Sequence, residues 1–322
     1  MTAQNGRLKV LYLAGWQRSG STILSNLLGQ LPGFFSAGEI YYLWHNARKD
    51  TVLCGCGAPF DECRLWSDVM QRAFGTTGVD ADRMWKLGVE GLRTRNIPRM
   101  ALAKPRSRIL DNLSEYSENV DKLYSAIAAT TGCEVVVDSS KWPPYGLLLS
   151  ERPALDVYVL HLVRDPRAVA HSWQRRNARP DRGGGAFANR TPSSSSARWF
   201  AWNAATEAFW GRDSGRYVLV RYEDFVAQPR ETVRRVLDMI GKDSLDVDLT
   251  ADGEVFLDVC HTVDGNPVRL QTGLVRLKKD DEWESAMDLR TKVAVTSMTL
   301  PLLLRYGYSL QPTFQGGASL VH

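Results

Sequence analysis

The chain has 322 residues, 44% of them hydrophobic and 24% charged, with a formal net charge of +4 at pH 7. That length suits one large α/β domain or two small ones, and the composition excludes a disordered or fibrous chain. The basic excess suits an anionic ligand but is too mild and dispersed for a nucleic-acid surface. No apolar run reaches the roughly 18 residues of a membrane span, so no membrane contact is expected.

The N-terminus, Met1–Leu8, is short and polar, with no apolar signal region, which makes the cytoplasm the expected location. Residues 8–14 form an apolar β-type run. A Gly/Ser-rich turn follows, then a helical pattern over 22–31. A strand feeding a small loop that opens a helix is an anion site, because the helix start offers unpaired N–H groups and a positive dipole end. Gly15, Gly20 and Thr22 fit the G-x-x-x-x-G-x-[ST] spacing of a Walker A loop, but Ser21 stands at the lysine position. The cation lies inside the loop instead, at Arg18.

Residues 35–63 read as loop and short helix, ending in the C-x-C-x6-C cluster Cys54, Cys56 and Cys63. In a reducing cytosol the first reading is a loop of free thiols; a local disulfide and a metal site are the alternatives. A zinc site wants four ligands. His45 is the candidate fourth, at no recognised spacing, so no metal ligand is assigned. Residues 64–131 are helical in pattern with a basic face (Arg93, Arg95, Arg99, Lys104, Arg106, Arg108), read as solvated.

Glu134–Asp138 and Asp156–Val163 are strands, the second a near-continuous apolar run of the kind buried in a parallel sheet. Arg167–Arg176 is helical. Residues 177–197 are Gly/Ser-rich with several arginines and read as a long mobile loop. Tyr217–Arg221 is a strand, Glu231–Ile240 a helix stopped by Gly241, and about 281–305 the last long helix. Strands alternating with helices give an α/β chain with a central parallel sheet flanked by helices, a three-layer P-loop-type fold, in one domain over 1–322 with a helical insert at about 64–131.

The second informative segment is His161-Leu-Val-Arg-Asp-Pro-Arg-Ala-Val-Ala-His-Ser172. Arg164 leaves the carboxyl end of a buried strand, where open α/β sheets bind ligands, and Pro166 starts the next helix. Ser172 lies about two turns along it, so a guanidinium and a hydroxyl can share one phosphate.

With these residues in view, Arg18-Ser-Gly-Ser-Thr22 resembles the 5′-phosphosulfate loop of the sulfotransferase family, and Arg164-x7-Ser172 its 3′-phosphate motif. The resemblance implies 3′-phosphoadenosine 5′-phosphosulfate (PAPS) as donor, 3′,5′-diphosphoadenosine (PAP) as product and no required metal. Arg18, Ser19, Gly20, Ser21, Thr22, Arg164 and Ser172 are then donor-binding. Arg221-Tyr-Glu-Asp224 is similar to the family's Tyr-Glu-Asp element, which puts Tyr222 near the adenine. Gly265-Asn-Pro-Val-Arg269 is similar to a late loop of bacterial members, which makes Arg269 a phosphate ligand.

Asp138-Ser-Ser-Lys141 resembles a strand-end lysine segment of bacterial and tyrosylprotein sulfotransferases. Leu31-Pro-Gly-Phe-Phe-Ser-Ala-Gly-Glu39 resembles the segment that carries the catalytic glutamate in the latter. Arg18 and Lys141 are the expected leaving-group cations, and Glu39 the first candidate base, with His45 second. His161 and His171 read as structural, and His261 stays undecided. Trp199 and Trp202 either line an acceptor pocket or pack a helix.

The expected activity is sulfuryl transfer to a hydroxyl, less readily an amine, of a small-molecule acceptor such as a natural product. A P-loop kinase using Mg-ATP and a tyrosylprotein-type enzyme are the alternatives. A homodimer is compatible with this reading, and oligomeric state stays open.

Overall fold

A computed structural model describes residues 6–47, 52–175, 189–245 and 254–310, with positions 178, 179, 181, 185 and 186. The chain opens with β1 (Leu8–Ala14), α1 (Ser21–Gly29) and β2 (Phe34–Gly38), then the short helix α2 (Leu43–Asn46). The predicted helical insert comprises α3 (Arg64–Phe74), α4 (Ala81–Gly91), α5 (Ile97–Met100), α6 (Ala103–Asp111) and α7 (Ser114–Thr131). Arg95, Arg99, Lys104 and Arg108 on it are exposed, as a solvated face requires.

Next come β3 (Val135–Lys141), α8 (Pro143–Ser150), β4 (Leu155–Val163) and α9 (Pro166–Gln174). A two-residue ladder, β5 (Ala178–Arg179) with β6 (Gly185–Ala186), precedes α10 (Pro192–Trp210). The C-terminal part holds β7 (Tyr217–Arg221), α11 (Tyr222–Ala227), α12 (Pro229–Ile240), β8 (Glu254–Leu257), β9 (Gly273–Arg276), α13 (Trp283–Ala286) and α14 (Leu289–Arg305).

Among the described residues, β2-β3-β1-β4-β7 form one parallel sheet in that order. The pleat of β1 divides its side chains between two cores. Val10, Tyr12 and Ala14 pack with the insert and α8. Leu11 and Leu13 pack with α1, α11 and α12. From β1 the chain crosses to the edge strand β2 and returns to β3 beside β1, then passes to the other side through β4 and β7. Ligands of such sheets sit at this switch point, outside the carboxyl ends of the strands.

Several expectations need correction. Residues 34–38 are a strand rather than loop: β2 has no Val or Ile and lies at the sheet edge, so it lacks the signature of a buried strand. β3 runs three residues past Asp138, because a register shift lets it pair again with β1, Lys141 opposite Ala14. The predicted loop 177–197 ends early. Pro192 starts α10, where Thr191 accepts a hydrogen bond from the Ser194 N–H, so 192–197 are helical, and much of the remainder lies outside the described residues. The last predicted helix is interrupted at Met287–Asp288, where Asp288 caps α14 through the Thr291 N–H.

Candidate active site

The loop after β1 lets the helix start point outward. Gly15 sits at φ +124°, and a Cβ there would come within 2.3 Å of the Leu162 carbonyl on β4. Gly20, at φ +84°, is the N-cap of α1; no side chain caps this helix and no acidic residue lies in its first turn. The N–H groups and positive dipole end of α1 therefore address whatever anion enters.

Arg18 takes a left-handed backbone, φ 68°, unusual for a residue with a side chain. Its carbonyl accepts a hydrogen bond from Arg164 Nη1 at 3.0 Å, which ties the loop to the end of β4. Its guanidinium lies 5.1 Å from the Trp173 ring centroid. Ser19 is turned inward, its hydroxyl donating to the Trp16 carbonyl at 2.8 Å. It braces the loop and does not line the cavity beside it, contrary to its expected donor-binding role.

A cavity of about 510 Å³ opens over the strand ends, within the usual range of small-molecule sites. Arg18, Gly20, Ser21 and Thr22 line it from the loop, and Arg164 and Ser172 from β4–α9. Tyr222, Glu39, His45 and Lys141 line it as well. Positions up to 204 residues apart in sequence thus share one wall.

Arg164 is held on three sides. It pairs with Asp280 at 2.9 Å, donates to the Arg18 carbonyl and lies 4.7 Å from the Tyr222 ring centroid. Asp280 also pairs with Arg175 at 2.6 Å. Burial alone would lift the Asp280 carboxyl, but the hydrogen bonds and charges of Arg164 and Arg175 hold it below the usual range. The Tyr222 ring also packs against Gly20, where a Cβ would come within 2.5 Å of it. Glu223 supports the arrangement from behind. It accepts from the Asp165 N–H at 3.1 Å and the Tyr308 hydroxyl at 2.8 Å, fixing the start of α9.

Across the cavity, Lys141 Nζ donates to Glu39 Oε1 at 2.7 Å and to the Ser139 carbonyl at 2.7 Å. Both side chains of this pair are largely buried. Lys141 also has a left-handed backbone, φ 66°, at the bulge where Ala14 pairs with it. Asp138 shapes that turn. Its carboxylate accepts from the Ser140 N–H at 2.8 Å, from the Ser140 hydroxyl and from Tyr124. The Ser140 hydroxyl in turn accepts the Tyr41 N–H at 3.0 Å, two residues past Glu39. One buried network therefore sets the spacing between Lys141 and Glu39.

Arg269 does not reach the cavity. Its guanidinium donates to the carbonyls of Thr262 (3.1 Å) and Leu53 (2.7 Å) and pairs with Asp181 at 3.3 Å. It is a buried clasp, and the late loop lines the cavity through Asp264, Gly265, Asn266 and Val268 instead. Trp199 and Trp202 are packing residues: the Trp199 indole donates to the Arg164 carbonyl at 3.0 Å, and Trp202 packs edge-on against Trp16. His161 is structural, held between Tyr217 (2.7 Å) and Asn203 (2.9 Å). Burial lowers its pKa to about 4.

Sequence reasoning missed Arg175 and Asp280, which flank Arg164, and Tyr42 and Trp85, which line the cavity on the Glu39 side. The Trp85 ring lies tilted against that of His45, with 4.9 Å between centroids. It lies on α4 in the insert, where its aromatic type alone carried no signal.

Residues 146–246 match the model of the Sulfotransferase family. Carbohydrate sulfotransferase 2 of Mus musculus and that of Homo sapiens are each 25% identical to this chain over 291 residues, covering 72% of it and 53% of their own length. The chain spans about half the length of these curated relatives. Two solved structures share its fold. The sulfotransferase domain from the Synechococcus PCC 7002 olefin synthase has a TM-score of 0.56 at 20% identity, covering 97% of this chain and 99% of that one. The sulfotransferase domain from the curacin biosynthetic pathway has a TM-score of 0.51 at 16% identity, covering 95% and 100%.

Proposed function

We propose that this sulfotransferase-family protein transfers a sulfuryl group from PAPS to a hydroxyl of a small-molecule acceptor. The observation that carries the reading is the convergence of Arg18, Lys141 and Glu39 on the cavity that Arg164 and Ser172 also line. The residues fit a nucleotide with two separate anionic groups. The capless start of α1 and Arg18 suit the 5′-phosphosulfate, Arg164 and Ser172 the 3′-phosphate, and the Tyr222 ring the adenine.

In the reaction the acceptor oxygen bonds to sulfur as the sulfur–oxygen bond to the leaving phosphate breaks. Negative charge grows on that bridging oxygen. Arg18 and the N–H groups of α1 are fixed in place before it develops, which is how preorganised donors lower a barrier. An ammonium has three N–H donors, and Lys141 commits two to Glu39 and Ser139. We assign the third to a sulfuryl oxygen. Glu39 receives the acceptor proton, and the ion pair with Lys141 keeps its carboxylate oriented. Tyr42, His45 and Trp85 offer an aromatic wall for the acceptor beside Glu39.

Incubation with sulfur-labelled PAPS and a panel of hydroxyl acceptors tests this reading. Label is expected to move to an acceptor. Glu39→Gln should slow transfer by about 10²–10⁴-fold while leaving PAP affinity intact. An undiminished rate in that variant would pass the base role to His45. No label transfer to any acceptor, with phosphate transfer from Mg-ATP instead, would contradict the donor assignment.

A further inference from the structure

The cysteine cluster lies outside the cavity, and the fold gives it a member that sequence spacing could not. Cys54, Cys56 and Cys63 meet His261, and one ligand atom from each of the four lies within 4.8 Å of all the others. His261 Nδ1 is 3.3 Å from Cys63 Sγ and 3.8 Å from Cys54 Sγ, and Cys56 Sγ is 3.9 Å from Cys63 Sγ. A tetrahedral zinc ion, with bonds of about 2.3 Å to sulfur and about 2.0–2.1 Å to nitrogen, sets its ligand atoms roughly 3.5–3.8 Å apart. His45, the fourth ligand considered from sequence, lines the active-site cavity instead.

We propose that Cys54, Cys56, Cys63 and His261 form a structural zinc site that clamps the late loop to the start of the insert. Three thiolates and one imidazole are a closed set for this ion, with no position left for substrate.

The surroundings are built for it. Cys63 is the N-cap of the eleven-residue α3. The positive end of that helix favours the net negative charge that three thiolates and one zinc ion leave. The Gly57 N–H donates to the Cys54 carbonyl at 2.9 Å, closing a tight turn between the first two cysteines and the third. Gly55 allows close approach: a Cβ there would come within 2.6 Å of Thr262 Oγ1 and 2.7 Å of Cys260 Sγ. The Trp66 indole donates to the His261 carbonyl at 2.7 Å, holding the histidine segment in place.

Zinc binding replaces the three S–H bonds with three zinc–sulfur bonds, and the three protons pass to solvent with no change of oxidation state.

The location gives the site its purpose. His261 precedes the Asp264-Gly265-Asn266 wall of the cavity by three residues. Val263 N–H donates to Ala37 on β2 at 2.9 Å, two residues before Glu39. A cation at the cluster would thus lock the cavity wall, β2 and α3 together. Zinc binding there is independent of which donor the cavity takes.

Metal analysis of the chain, purified without a histidine tag or added metal, tests it. About one zinc per chain is expected. X-ray absorption at the zinc edge should show about three sulfurs near ~2.3 Å and one nitrogen near ~2.0–2.1 Å. Cys133→Ser should keep the metal, Cys63→Ser and His261→Ala should lose it, and zinc removal should lower the melting temperature of the wild type. Cobalt reconstitution of the wild type gives a readout that needs no variant to fold, through a thiolate-to-cobalt charge-transfer band. Substoichiometric metal with no such band would overturn the proposal, as would a disulfide among the three cysteines or five freely reactive thiols in the native protein.

Discussion

Arg18 and Lys141 are the described residues other than glycine with positive φ, 68° and 66°, and both line the cavity. Each such backbone costs about 1–3 kcal/mol and persists only where the surroundings impose it. Here the surroundings are the Arg164 clasp on the Arg18 carbonyl and the Asp138 network under Lys141. Gly20 is as tightly constrained by its neighbours. Gly20→Ala should destabilise the fold by about 1–3 kcal/mol and weaken PAP binding, because its methyl would displace the Tyr222 ring. Gly241→Ala is the control. At φ +73° it carries the backbone cost, but nothing lies within 4 Å of its added Cβ, so PAP affinity should not change. Denaturant titration and ligand binding on both variants measure the difference.

Legibility in the sequence differs among the elements for physical reasons. β1 and β4 read clearly because central strands of a parallel sheet are near-continuous runs rich in Val and Leu, and β7, at the edge opposite β2, read because its sequence YVLVR carries the same residue types. β2 at the edge and the hairpin β8–β9 did not. The hairpin leaves Phe256 and Leu274 exposed, so its apolar residues follow no single face. At the site, motifs anchored to strand ends were readable, and Arg18, Arg164, Ser172, Lys141 and Glu39 do share one cavity. Arg269 was misread because its loop reaches the cavity while its own side chain folds back onto Asp181. His261 could not be joined to Cys63 across 198 positions by any spacing rule. Only the fold brings β8 and its following segment beside the insert.

For the whole molecule, two fully buried groups set opposing pH dependences. Burial raises the Asp138 carboxyl to about 6, against hydrogen bonds from Ser140 and Tyr124 that lower it. Its contribution is fully present below the unfolded carboxyl value of about 3.9 and is lost as pH rises through about 6. Burial lowers His161 to about 4, with the Asn203 hydrogen bond opposing. Its contribution is present above the unfolded value of about 6.5 and is lost as pH falls toward about 4. Each is worth about 3 kcal/mol, and over pH 4–6 they nearly cancel. His161→Gln should expose the Asp138 slope: the variant becomes more stable on acidification from pH 6.5 to 4, where the wild type stays nearly flat. Urea midpoints across that range give the comparison, and parallel curves for the two proteins would refute the balance.

The proposed donor recognition rests on a molecule-wide arrangement, since the loop after β1, the end of β4 and the start of α11 meet at one cavity. Calorimetric titration of PAP into the wild type and Arg164→Ala in magnesium-free buffer tests this most directly. Saturable binding is predicted for the wild type and at least a tenfold loss for the variant, the scale of one charge-assisted contact of about 1.5–3 kcal/mol. Binding of Mg-ATP but not of PAP, or equal PAP affinity in both proteins, would contradict it.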